Sequence, residues 1–257
     1  MVTNSARNSD YTTDSNRKGI SGSTLKLIAI ITMLIDHIGA TVIYLGILEP
    51  HIRQSGMENF AMISRFNVEL STWLVIYEIC RTIGRIAFPI FCYLLVEGFK
   101  YTKDIKKYAL RLLLFAFISE IPFDLAFYNT VFEPGHQNVY FTLFLGILVL
   151  AGIKYFESKI GLGLLCVLAG GAAAQLLNSD YTFYGILLIA ILYLYRNNKL
   201  LQTVLGCLSL IWELAAIIAF IPINLYNGTR GLKMKYFFYI FYPGHLLILY
   251  LITRLLL

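Results

Sequence analysis

Asp36 and His37 stand side by side in "MLIDHIGA", with LKLIAIITM before them and TVIYLGIL after them. A carboxylate and an imidazole can take up and orient protons, and an ionisable group inside an apolar run needs a partner or a task. The intrusion recurs along the chain. Arg81 and Arg85 interrupt the second apolar stretch, Glu120 and Asp124 the third, in "SEIPFD", and His245 the last. Two histidines, two arginines and three carboxylates near the middles of four apolar segments predict a buried polar centre. Such a centre could move a proton and hold a developing negative charge.

Spacing constrains how these groups can pair. Arg81 and Arg85 are one helical turn apart, with Glu78 on the same stripe, so a Glu78–Arg81 clamp is an equal alternative to a functional role. Glu120 and Asp124 have the same spacing and repel each other unless one is protonated or cations lie opposite. The arginines of the second segment are their expected partners. Asp36 and His37 point about 100° apart on a helix. They are expected to serve different neighbours, one facing the second or third segment and the other the last. Gly39 and Ala40 leave room for a close approach beside them.

The elements that carry these residues are apolar helices. The 257 residues are 58% hydrophobic, 15% aromatic and 14% charged, too apolar and too poor in charge for an ordinary soluble domain. We expect an all-α polytopic membrane helix bundle of about eight transmembrane helices, near 25–47, 68–99, 107–128, 138–156, 160–177, 181–196, 200–220 and 236–256. The second is too long for one straight span. It contains Gly84 and Pro89, and a proline there leaves the Arg85 carbonyl without its helical donor, so this span is expected to break. Residues 1–24 are polar and are read as a disordered cytoplasmic tail before a single transmembrane domain, 25–257; they lack the pattern of a signal peptide.

Lysine and arginine counts in the short loops place both termini in the cytoplasm. Arg7, Arg17 and Lys18, then Lys100, Lys103, Lys106, Lys107 and Arg111, then Lys154, Lys159, Arg196 and Lys199 fall on one side. Arg53, Arg65, Arg230, Lys233 and Lys235 dissent, which either weakens this topology or marks 226–235 as a functional segment. The net charge of +6 is accounted for by this bias, and no interleaving of aromatic and basic residues outside the spans suggests nucleic acid. The four cysteines form no CxxC pair, which argues against structural disulfides and against a metal site. Glu97, Asp180 and Glu213 are read as solvated residues at span ends.

Five stretches together resemble the TraX family in order and spacing. They are "LKLIAIITMLIDHIGA", "GRIAFPIFCYLLVEGF", "ISEIPFDLAF", "NVYFTLFLGI" and "YNGTRGLKMKYFFYIFYPGHLLIL". The resemblance covers nearly the whole chain after residue 24 and includes the polar positions. It implies a multispanning membrane acetyltransferase that uses cytoplasmic acetyl-CoA as co-substrate, without a metal, to modify an acceptor amine or hydroxyl. The acceptor class stays open among a peptide or pilin amino terminus, a surface glycan and a small molecule.

Acyl transfer needs a base for the acceptor proton and donors for the tetrahedral oxyanion. His37 is the expected base, oriented by Asp36 or by a carboxylate of the third span. Arg85 is expected at the oxyanion or the thioester, and His245 with Tyr242 as a second proton-transfer or acceptor-side group. Arg81, Glu120 and Asp124 complete the centre. Arg230, in the turn-rich "YNGTRG", is expected at the pocket mouth, on an acceptor carboxylate or a cofactor phosphate. A proton-coupled transporter would also place such groups at the midplane. A purely structural membrane factor would leave the two histidines unexplained.

Overall fold

The computed structural model describes residues 18–55, 68–232 and 235–257. It is an all-α bundle with no strand among these residues. The first helix, α1 (Gly22–His37), continues through a π-helical stretch, Ile38–Leu48, into α2 (Glu49–Ser55). Then follow α3 (Val68–Gly84), α4 (Ala87–Tyr101), α5 (Ile105–Tyr128), α6 (Val139–Tyr155), α7 (Ile160–Leu176) and α8 (Thr182–Leu194). The chain ends with α9 (Lys199–Ser209), a 3-10 stretch Leu214–Ala219 running into α10 (Phe220–Leu225), and α11 (Lys235–Leu256).

Short polar side chains set several of the starts. Ser21, Asp104, Asn138 and Asn198 each accept a hydrogen bond from a backbone N–H two or three residues on, satisfying a donor that the first helical turn leaves free. The Lys107 backbone N–H also holds the exposed Asp104 carboxyl below the usual carboxylate range. The first helix begins at Gly22, so the last three residues of the expected tail are helical. Residues 1–17 of that tail, with Arg7 and Arg17, lie outside the described residues, as do Arg65 and Lys233.

Three stretches are long and apolar enough to cross a membrane: Gly22–Gln54, Val68–Tyr101 and Phe237–Leu256. The second breaks where the sequence indicates. Gly84 ends α3, Arg85 and Ile86 turn, and Pro89 lies in the first turn of α4, where a missing N–H is tolerated.

The segment expected to span at 200–220 does not cross the bundle. Lys199 Nζ donates to the Asn224 carbonyl at 2.7 Å, and Thr203 and Asn224 bond through their side chains at 3.0 Å. Its two legs therefore enter and leave at the same end, as a re-entrant hairpin that turns at 210–213. Eleven residues in α9 reach only about 16 Å, half of a bilayer core.

The hairpin returns the chain to the start of α1. Ile20 N and Leu225 O pair at 2.9 Å, Gly22 N and Thr229 O at 2.8 Å, and Ser23 N and Arg230 O at 3.1 Å. The 226–231 loop thus sits at the same end as Gly22 and Lys100, correcting its expected place on the opposite side. α11 then runs alongside α1, and its last turn reaches Gly46, where a Cβ would stand 3.2 Å from Leu256. Residues 20 and 256 therefore lie at opposite ends of the bundle.

Small residues allow the α1–α3 contact. A Cβ on Gly39 would lie 2.7 Å from Cys80 Cβ, and one on Gly84 would overlap the Asp36 side chain. Gly84→Ala must displace Asp36 or part the helices, and overpacking of this kind costs about 1–3 kcal/mol. Thermal unfolding in detergent should show a lower Tm for Gly84→Ala. Gly163→Ala, where a Cβ meets nothing within 4 Å, should be neutral. Equal stability of both variants would contradict the packing described.

Candidate active site

His37 ends α1, where the helix widens into its π-helical stretch, and its ring turns toward α11. Its Nδ1 lies 2.7 Å from Nε2 of His245. The rings are 5° from parallel with centroids 5.0 Å apart, which suits an edge-to-edge hydrogen bond. His245 Nδ1 lies 2.8 Å from the Phe241 carbonyl. A carbonyl only accepts, so His245 carries its proton on Nδ1. A neutral imidazole has one N–H, so its Nε2 accepts and His37 donates from Nδ1. The Nε2 lone pair of His37 is left free, with no hydrogen bond among the described residues.

Aromatic rings hold this relay. Phe241 stacks on His245 at 4.8 Å, Phe127 meets His37 edge-on at 5.3 Å, and Tyr242 flanks both histidines at 5.7 and 6.1 Å. His37 is half-buried and His245 is 6% exposed. The group orienting His37 is therefore His245 with the Phe241 carbonyl. This corrects the expectation that Asp36 or a carboxylate of the third span does so.

Asp36 instead faces α3, where its Oδ2 accepts from Arg81 Nη1 at 2.7 Å, while its Oδ1 is buried with no partner. The dipeptide divides as its 100° separation predicts, one side chain to the second span and the other to the last. Glu78 takes no part; Arg81 pairs with Asp36.

Arg85, in the turn between α3 and α4, places its Nε 3.2 Å from Glu213 Oε2, and Tyr181 lies beside it. Glu213 sits at the hairpin's turn, and Tyr181 immediately precedes α8. α8 has 13 residues, about 20 Å, so its amino-terminal end stays at depth and carries Tyr181 to the level of Arg85. The sequence reads Glu213 as a solvated span end and does not single out Tyr181; Asp180, read the same way as Glu213, is exposed. The available signals were the short apolar runs around them and the polar break at Ser209, Trp212 and Glu213.

Glu120 and Asp124 do not meet the arginines. Glu120 accepts from the backbone and side chain of Asn138, and the fully buried Asp124 accepts from Glu133 N at 2.9 Å. Both tie down the 129–138 loop, whose backbone also pairs with 178–180. Their expected pairing fails because Asp36 and Glu213 already occupy the two guanidiniums.

A cavity of about 380 Å³ opens at the end that holds Gly22. Lys26, Arg111 and Arg230 converge on it from α1, α5 and the 226–231 loop, with Glu97 as the only carboxylate among its described lining residues. Arg111 Nε is buried there without a hydrogen-bond partner. Tyr140 belongs to the cavity wall, and its ring meets Tyr242 edge-on at 5.1 Å. Tyr242 thus stands between the cavity and the two histidines. Arg230 is an exposed residue of the cavity lining.

Comparison with known proteins follows the same outline. A probable fimbrial assembly protein, FimC of serogroup H1, from Dichelobacter nodosus is 28% identical over 206 residues, which cover 67% of this chain and 82% of the relative. No solved structure matches. The family profile described as TraX protein matches residues 21–253, a stretch that includes every paired residue of the polar centre, and the chain therefore belongs to the TraX family.

Proposed function

We propose that this protein is an integral membrane acetyltransferase that moves an acetyl group from cytoplasmic acetyl-CoA to an acceptor amine or hydroxyl. The observation that carries the reading is the relay from the Phe241 carbonyl through His245 to His37, which fixes both tautomers and leaves one basic nitrogen open. A structural histidine pair has no need of an unengaged lone pair.

The end that holds Gly22 is assigned to the cytoplasm, because Lys100, Lys103, Lys106, Lys107, Arg196, Lys199 and Arg230 gather there. With the hairpin counted as re-entrant, the described chain then crosses the membrane seven times. The cavity opens to the cytoplasm, where acetyl-CoA is available. Lys26, Arg111 and Arg230 suit its phosphates, and the unpartnered Arg111 Nε is a donor such a ligand would satisfy. The aromatic wall suits the pantetheine arm, which leads past Tyr140 toward the histidines.

At the centre, His37 Nε2 takes the proton as the acceptor nitrogen or oxygen attacks the thioester carbon. The guanidinium donors of Arg85 that remain beyond Glu213 stabilise the carbonyl oxygen as it gains charge. The C–S bond breaks, and His37 returns the proton to the departing thiolate. His245 keeps its Nδ1 proton on Phe241 throughout and stabilises the His37 imidazolium by accepting from its Nδ1.

Fimbrial assembly, the role in the name of the Dichelobacter relative, makes a pilin-type peptide amine the first acceptor to test. Purified protein with radiolabelled acetyl-CoA and a membrane extract should transfer label to a peptide fraction. His37→Ala should lose transfer by about 10²–10⁴-fold, the range for a general base, while eluting and melting as the wild type does. His245→Ala should lose less, because Nε2 of His37 survives. Absence of transfer and of CoA binding by folded wild type would overturn the reading and favour a transporter.

Arg230→Ala and Lys26→Ala should raise KM for acetyl-CoA by about tenfold each, the worth of one charge-assisted contact, with kcat nearly unchanged. An unchanged KM in both would remove the cavity from the donor site.

A further inference from the structure

The hairpin of residues 199–225 enters the bundle and leaves without crossing, and it delivers Glu213 to a depth where an unpaired carboxylate costs several kcal/mol. Its ion pair is to Arg85. Arg85 itself lies outside both flanking helices, in the break between Gly84 and Ala87, so the helical lattice does not aim its side chain. One contact from a distant part of the chain does so, Glu213 Oε2 on Nε at 3.2 Å, and Tyr181 flanks the guanidinium from another.

Tyr181 is itself held in an exceptional way. Its φ is 64° and that of Thr182 is 38°, left-handed values that aromatic and β-branched residues rarely adopt. Its ring lies flat on Phe88, with centroids 3.5 Å apart and planes 2° from parallel. Phe88 is 3% exposed and belongs to the same α4 that follows the break. The backbone is thus kept in an unfavourable region at the residue that reaches Arg85.

We infer that Glu213 and Tyr181 are positioning residues for acetyl transfer: they hold Arg85 from two sides, so that its remaining N–H donors meet the carbonyl oxygen without reorganising. The inference rests on the acetyltransferase reading above. It gives the re-entrant hairpin a purpose in that reaction, since the hairpin's turn is what carries Glu213 to Arg85. A guanidinium fixed before reaction stabilises developing charge more than one that must first be ordered.

The test compares wild type, Glu213→Gln, Glu213→Asp, Tyr181→Phe and Arg85→Gln, and the double variant Arg85→Gln with Glu213→Gln, in detergent, by acetyl-transfer kinetics and thermal unfolding. Glu213→Gln is expected to lower kcat about tenfold or more, with KM for acetyl-CoA within about twofold of wild type. Glu213→Asp should recover part of the loss, and Tyr181→Phe should show a smaller fall of the same kind. In the Arg85→Gln background, Glu213→Gln should remove no further activity, because the group it positions is gone.

Glu213→Gln with wild-type kcat, or losses that multiply in the double variant, would overturn the inference and leave the ion pair a structural clamp. If Glu213→Gln fails to fold, Glu213→Asp and Tyr181→Phe decide by the same split between kcat and KM. A wild type that transfers no acetyl group overturns the proposed function, and the positioning role with it. An active wild type indifferent to Glu213 and Tyr181 overturns the positioning role alone.

Discussion

A charge inside an apolar bundle has to be answered by another charge at the same depth, and much of this architecture follows from how Asp36, Arg81, Arg85 and Glu213 meet that demand. Asp36 reaches Arg81 only because Gly84 has no side chain to hold the helices apart. Arg85 reaches Glu213 only because α3 stops at Gly84 and the hairpin turns at 210–213. Broken helix, small residues and re-entrant segment are three solutions to one electrostatic problem. Each also removes regular helix from the place where a substrate would need room, which protein surroundings make tolerable at this depth.

Next to these ion pairs lies a group of a different kind. The histidine relay carries no fixed charge and satisfies its buried donors internally, ending on a backbone carbonyl. Arginines able to stabilise negative charge and a histidine able to accept a proton thus come from adjacent positions, Asp36 committing α1 to α3 and His37 committing it to α11. Adjacency in sequence becomes division of labour because successive helical residues face different neighbours.

Access is arranged by length. Helices α8 and α9 are too short to reach across a bilayer core, so the ends that stop at depth bring Tyr181 and Glu213 inward, while Glu120 and Asp124 tie the 129–138 loop over the far side. At the near end, the basic cavity narrows toward Tyr140 and Tyr242.

The sequence by itself determined that the chain is an all-helical bundle with a broken second span, that Asp36 and His37 serve different partners, and that Gly39 lies at a close contact. These are local properties: hydrophobic run length, helical angle, the missing N–H of proline and the missing Cβ of glycine. The tertiary structure alone decided who pairs with whom. Asp36 rather than Glu120 or Asp124 answers Arg81, His245 rather than Asp36 orients His37, and Glu213 and Tyr181, read as span ends, belong to the centre. It also turned 200–220 back on itself. Hydropathy measures how apolar a segment is and carries no record of direction once the segment breaks, and the pairing of charges depends on depths that only packing fixes.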